Sequence, residues 1–241
     1  SSQILLSSIS VVIFYKINKF FFSEKISFLS SLILTLFPLF VYASTQISSI
    51  TLQVFLTILF FFYFFKFFKK NNTFTIFLFS LISGLLILLR GEFILIFILS
   101  NLYFFIFLKI KIKKIFLILL IALITISPYV IRNVLLFDTI TITKSVGYNL
   151  WKGNNPNSKV EGSVIHNDNL EAKIKNLSND KFYAFNLDKI YLDEAIQNIK
   201  EEPKKYSALF FEKFVSIILI DIKSSDPNYY NFFHYFPLLL L

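Results

Sequence analysis

The chain has 241 residues, 56% of them hydrophobic and 33 of them Phe, with no Cys and a mean hydropathy of +0.67. A soluble domain cannot bury that much apolar surface, so the class is a polytopic membrane protein built of helical spans. The net charge of +9 divides unevenly, with twelve Lys and Arg against Glu24 and Glu92 over residues 1–133, and twelve Lys against thirteen acidic residues over 134–241. The basic half is the apolar half, so the charge reads as membrane topology and excludes a nucleic-acid partner. Zero Cys excludes disulfides and thiolate metal sites.

The chain opens on Ser1 within an apolar run and stops within another, Phe236 to Leu241. It contains no Met and therefore reads as an internal fragment of a longer protein. Residues 1–133 form an expected transmembrane bundle of about six spans, the first truncated and ending near Tyr15. The second runs from Ile26 to Ser44, with Pro38 tolerated inside it. The others are Ile50 to Phe65, Phe74 to Leu89, Phe93 to Leu108 and Ile115 to Ile131. Their connections alternate in character. Lys16, Lys19 and Lys25 mark one side, as do Lys66, Lys69 and Lys70, then Lys109, Lys111, Lys113 and Lys114. The opposite side receives Gln46 to Ser49, Arg90-Gly91-Glu92 and everything after Arg132. The positive-inside rule makes the lysine turns cytoplasmic and sends the other turns to the outer face.

Residues 134–228 read as a small soluble segment on that outer face, and 229–241 as the truncated start of a further span. Within the segment, 138–165 reads as loop with short extended pieces such as Thr139 to Thr143. Residues 181–201 read as a helix burying Leu192, Ala195, Ile196 and Ile199. Pro203 breaks that helix and opens the next, and Ser207 to Ile222 is apolar but interrupted by Glu212-Lys213. Aromatics at 229, 230, 232, 233, 235 and 236, with His234 among them, resemble an interfacial belt.

The run Gly147-Tyr-Asn-Leu-Trp-Lys-Gly-Asn-Asn-Pro156 holds the single tryptophan, Trp151, with amides and a cation just beyond an apolar helix. Indole faces stack on sugars, and amides both donate to and accept from hydroxyls, so the run suits a sugar or a phosphorylated lipid headgroup. An ordinary polar turn accounts for the same composition. Arginine is distributed unevenly. The chain has two, Arg90 and Arg132, both at outer turns, while the ten lysines of residues 1–133 all fall in cytoplasmic ones. A guanidinium grips phosphate oxygens with a planar fork where lysine offers a point charge. Snorkelling to the interface, or an Arg90–Glu92 pair, explains the same placement structurally. Asp193-Glu194 reads as a solvated face. A phosphate-binding glycine loop, an HExxH motif and a Gly-x-Ser-x-Gly motif are all missing from the sequence.

In this order the features resemble the membrane glycosyltransferases of family 39, the protein-mannosyltransferase-like group with the GT-C fold. The likeness rests on Phe37-Pro38-Leu-Phe-Val-Tyr42-Ala-Ser44, Gly84-Leu-Leu-Ile-Leu-Leu-Arg90, Pro128 to Asn133 and the run from Gly147 to Pro156 with Gly162 beyond it. It continues through Glu194-Ala195 to Pro203 and Lys213. The resemblance implies a GT-C-like helix bundle with a small, mainly helical periplasmic segment that caps the cavity. It also implies transfer of a sugar from a polyprenyl-phosphate carrier to a lipid, glycan or protein acceptor, at the outer face of a cell inner (plasma) membrane.

Arg90 and Arg132 are the expected donor-phosphate ligands. Glu92, Asn133, Lys144, Asn149, Trp151, Lys152, Asn154 and Asn155 are the expected substrate-binding residues. The family's catalytic aspartate falls upstream of Ser1, so no catalytic residue is assigned here and the fragment alone is expected to be inactive. Where the family often carries Ser-Glu, this chain has Ser48-Ser49. No metal site is assigned, and a divalent cation is the one cofactor left open. A transporter and a non-catalytic membrane scaffold are the rival readings. A transporter is expected to carry ionisable groups within broken helices, and the spans here hold none between their turns.

Overall fold

A computed structural model of the chain describes residues 2–69 and 72–218. The expectations for 229–241, for His234 and for the end of the Ser207–Ile222 stretch lie outside these residues. The described residues form eleven α-helices and no strand, in two compact units, Ser1–Ile142 and Thr143–Leu241.

The first unit contains α1 (Ser2–Asn18), α2 (Glu24–Leu36), α3 (Pro38–Thr45), α4 (Ile50–Lys69), α5 (Thr73–Leu89), α6 (Phe93–Ile106) and α7 (Ile112–Phe137). Every expected span is helical. Of these, α4 and α7 are individually long and apolar enough to cross a membrane, and the bent α2–α3 pair makes a third if it counts as one span. The remaining apolar helices, α1, α5 and α6, have 17, 17 and 14 residues. The fold is that of an all-α polytopic membrane protein.

Two prolines act differently from each other. Pro38 does not sit inside a continuous span. Phe37 takes an extended conformation, as a residue before proline prefers, and Pro38 opens α3 at a bend of 54°. Pro128, by contrast, lies inside α7, which continues to Phe137 beyond its expected end. Proline removes a donor to the carbonyl four residues back, and here Ser127 Oγ donates to that carbonyl, Ile124 O, at 3.0 Å. Asp138 then ends the helix in the left-handed conformation.

The core of this unit centres on α5, which packs most extensively on α7 and α4. Phe60, Phe67, Phe79 and Phe104 are buried together, with Phe67 and Phe104 stacked at 4.3 Å. Gly84 permits the close approach of α5 and α7, because a Cβ there would meet Thr125 Cβ at 2.7 Å. Large apolar side chains such as Leu95, Phe116 and Leu123 are more than half exposed, as the lipid-facing side of a membrane helix requires.

The second unit contains α8 (Val146–Gly153), α9 (Asp168–Lys175), α10 (Tyr183–Glu201) and α11 (Pro203–Ile218). Its core is Trp151, Leu170, Tyr191 and Ala195. Two expectations are corrected here. Residues 139–143 are loop as expected, but α8 occupies the middle of what read as loop. Helix α10 forms as expected, but its buried stripe is Tyr191, Glu194, Ala195 and Asn198, while Ile196 is 38% exposed. The stripe is rotated because buried polar groups on α10 make specific bonds. Hydropathy scored those groups as outward-facing.

Candidate functional site

In the first unit the candidate residues sit at one end of the bundle. Helices α5 and α7 flank α6 through short turns and therefore run in the same direction. From the Gly84–Thr125 contact, Arg90 stands about 9 Å further along and Arg132 about 10.5 Å, at 1.5 Å per residue. The two arginines thus follow that contact by six and seven residues on packed helices.

Arg90 caps the end of α5 and is half-buried, and its Nε donates to Gln53 Oε1 of α4 at 3.0 Å. No ion pair with Glu92 forms, and among the described residues no carboxylate pairs with Arg90 or Arg132. Glu92 itself is exposed. Arg132 is exposed, and its Nη1 donates to Asn133 Oδ1 at 3.2 Å. Asn133 is buried to 1% exposure and its Nδ2 donates to Thr141 O at 2.8 Å, folding residues 138–141 back on α7. Asn133 therefore anchors the backbone and orients Arg132. Gln3 Nε2 donates to Ser48 O at 3.0 Å and Thr51 Oγ1 to Ala43 O at 2.9 Å, tying the turn after α3 to its neighbours. These contacts make a polar, cationic rim on an apolar bundle.

In the second unit the run 147–156 is held by α10 and α11. Asp188 of α10 accepts from the backbone N–H groups of Gly147 and Tyr148 at 3.0 and 2.9 Å, capping α8 with a carboxylate. A Cβ on Gly147 would lie 1.9 Å from Asp188 O, so only glycine fits. Trp151 is 1% exposed and packs against Tyr148, Tyr191 and His166. Its indole belongs to the core of the unit. Tyr191 Oη pairs with His166 Nε2 at 3.0 Å, and burial, ahead of the neighbouring Tyr148 and Tyr183, pushes the Tyr191 phenol up from its ordinary pKa.

Asn155, also 1% exposed, donates from Nδ2 to Ser163 O at 2.7 Å and accepts at Oδ1 from Asn157 N at 2.9 Å. Asn154 Nδ2 donates to Leu150 O, and Asn154 O accepts from Asn198 Nδ2 at 3.2 Å. Lys213 of α11 donates to Gly153 O, and its partial burial lowers its pKa from the ordinary lysine value. Gly162 closes the turn at φ +82, a conformation that favours glycine. Lys152 and Asn149 are exposed, and Lys144 Nζ lies 4.5 Å from the centre of the Phe185 ring. The run is therefore a turn whose inner residues make its shape and whose one cation, Lys152, faces solvent.

Sequence reasoning missed Gln53 and Asp188. Gln53 lies in an apolar helix 37 residues before Arg90, and Asp188 lies 41 residues after Gly147, so neither pairing carries a local signal. It also read Glu194 as solvated, whereas Glu194 is 8% exposed and pairs with Lys173 at 3.0 Å.

Neither the curated proteins nor the solved structures include a match to the chain. A family model described as dolichyl-phosphate-mannose-protein mannosyltransferase matches residues 2–131, which includes the Gly84-to-Arg90 segment. With more than half of its length matched, the chain belongs to this mannosyltransferase-like family of membrane glycosyltransferases.

Proposed function

We propose that the protein moves a sugar from a polyprenyl-phosphate donor to an acceptor hydroxyl at the outer face of the cell inner membrane, with Arg90 and Arg132 gripping the donor phosphate. The acceptor oxygen attacks the anomeric carbon, the bond from that carbon to the phosphate oxygen breaks, and the acceptor proton passes to a carboxylate base. Negative charge grows on the departing phosphate, and oriented donors placed where charge develops lower the barrier. The observation that carries this reading is Arg90. Its guanidinium is oriented through Nε by Gln53 and meets no carboxylate among the described residues, which leaves its Nη edge for a phosphate.

Arg132, seven residues past the Gly84–Thr125 contact, supports the same reading, as does family membership for the use of a lipid-borne donor. Exposed Glu92, Lys152 and Asn149, with half-buried Lys144, are the residues proposed to meet the remainder of the substrates. Trp151, Asn133, Asn154 and Asn155 are proposed to act by fixing the backbone that carries those residues. The test is a transfer assay with the full-length protein in sealed vesicles, supplied with either a polyprenyl-phosphate sugar or a sugar nucleotide. Transfer from the lipid-borne donor alone is the expected result. Transfer from the sugar nucleotide alone would overturn the reading.

A further inference from the structure

At the lysine-bearing end of the first unit, opposite the arginines, a cavity of about 570 Å³ opens on the side of the bundle. Phe21 after α1, Phe65 and Phe68 of α4, and Tyr103 of α6 line it, and Lys69 and Phe20 stand beside them. Lys69 Nζ lies 4.6 Å from the centre of the Phe20 ring. Lys66, one turn earlier on α4, lies over the rings of Phe62 and Tyr63. Among the described residues neither Lys66 nor Lys69 has a carboxylate partner. The one acid at this end of α1 and α2, Glu24, is taken by Lys19 at 3.6 Å and by the Tyr15 hydroxyl at 3.0 Å.

An apolar, aromatic cavity with Lys69 in its lining, and Lys66 one turn away on the same helix, matches a molecule with a chain at one end and an anion at the other. We propose that the cavity holds an anionic phospholipid, with an acyl chain against Phe21, Phe65 and Tyr103 and its phosphate on Lys69 and Lys66. Charge complementarity commits the site to that occupant. The apolar lining accepts any chain, but two cations without acidic partners select an anionic head, as basic pockets at the cytoplasmic ends of membrane helices do. The inference rests on the bundle being a membrane bundle with its lysine turns on the cytoplasmic side. It is independent of the transfer reaction, which is proposed for the opposite end.

The full-length protein is released from vesicles of phosphatidylglycerol and phosphatidylcholine, and the lipid it retains is weighed by native mass spectrometry. Phosphatidylglycerol is expected to be retained in preference, and the preference to fall roughly five-fold for each of Lys66→Gln and Lys69→Gln. Phe65→Trp, which fills the cavity without changing charge, is expected to lower retention too. Lys111→Gln with Lys113→Gln, which removes at another lysine turn as much charge as Lys66→Gln and Lys69→Gln together, should leave it unchanged. Equal retention of the two lipids overturns the proposal, as does retention unaffected by Lys69→Gln and Phe65→Trp. A dimer peak abolished by Phe65→Trp, or a bound neutral polyprenol in place of phospholipid, also overturns it by naming another occupant. Because no step of this experiment reads transfer, the site and the transferase reading stand or fall separately.

Discussion

Away from the helix ends, where Gln3, Thr51 and Arg90 bond across the first unit, the two units satisfy their polar groups in different ways. In the first, hydroxyls turn back onto their own helix. Ser27, Ser31, Thr35, Ser80, Ser83 and Thr125 each donate to the carbonyl four residues earlier. In the second, polar side chains reach across the sequence: Asp188 to Gly147, Asn198 to Asn154, Lys213 to Gly153 and Lys173 to Glu194. A helix in lipid must close its hydrogen bonds locally, whereas a small unit draws on long-range polar bonds to define a core too small to define itself. Contacts made within one helix are therefore dispensable singly, and contacts made across the sequence are not.

The largest effect should come from Gly147. Its backbone lies against α10 so closely that Gly147→Val is expected to cost about 3 kcal/mol and to unfold the second unit alone. Trp151, the single tryptophan, is buried in that unit, so a red shift of its emission reports the loss. Unchanged emission from Gly147→Val would break the comparison at its strongest point. Asp188→Ala removes two charge-assisted cap bonds and should cost about 1–2 kcal/mol by the same readout. Ser80→Ala in the first unit gives up a bond to its own helix and should cost no more than about 0.5 kcal/mol. If Ser80→Ala proves as damaging as Asp188→Ala, the contrast between the units is wrong.

The smallest effect concerns Lys213. Burial lowers its folded pKa below the unfolded value, so between the two the unfolded chain binds more protons and stability rises with pH. Lys213→Met keeps the apolar stem but removes the titrating group. Its Trp151-reported stability should gain less between neutral pH and the ordinary lysine range than that of the parent. An equal gain in both proteins would show that the rise comes from other groups.

The same contrast explains what the sequence reveals. Helices α4 and α5 were legible because a continuous apolar run between lysine turns and Arg90 is a local signal, and Pro38 and Pro128 were visible as punctuation. Their different outcomes were not, since these depend on Ser127 serving the carbonyl that Pro128 leaves open and on Phe37 having room to extend. Helix α8 was hidden because its cap lies 41 residues away. Trp151 looked like a sugar platform because an indole among amides reads the same whether it faces a ligand or a core. The arginines were legible by type and place, and Gln53, which orients one of them, was not.

Arg90 and Arg132 are proposed to hold the donor phosphate through the fork of the guanidinium. Kinetics of full-length Arg90→Lys and Arg132→Lys, with polyprenyl-phosphate sugar as the varied substrate, test it most directly. Charge and snorkelling survive these substitutions while the paired hydrogen bonds do not. Each variant should lose about tenfold in kcat/KM for the donor, with the acceptor KM unchanged and membrane insertion normal. If both conservative variants keep the parent's donor kinetics, the phosphate clamp is contradicted.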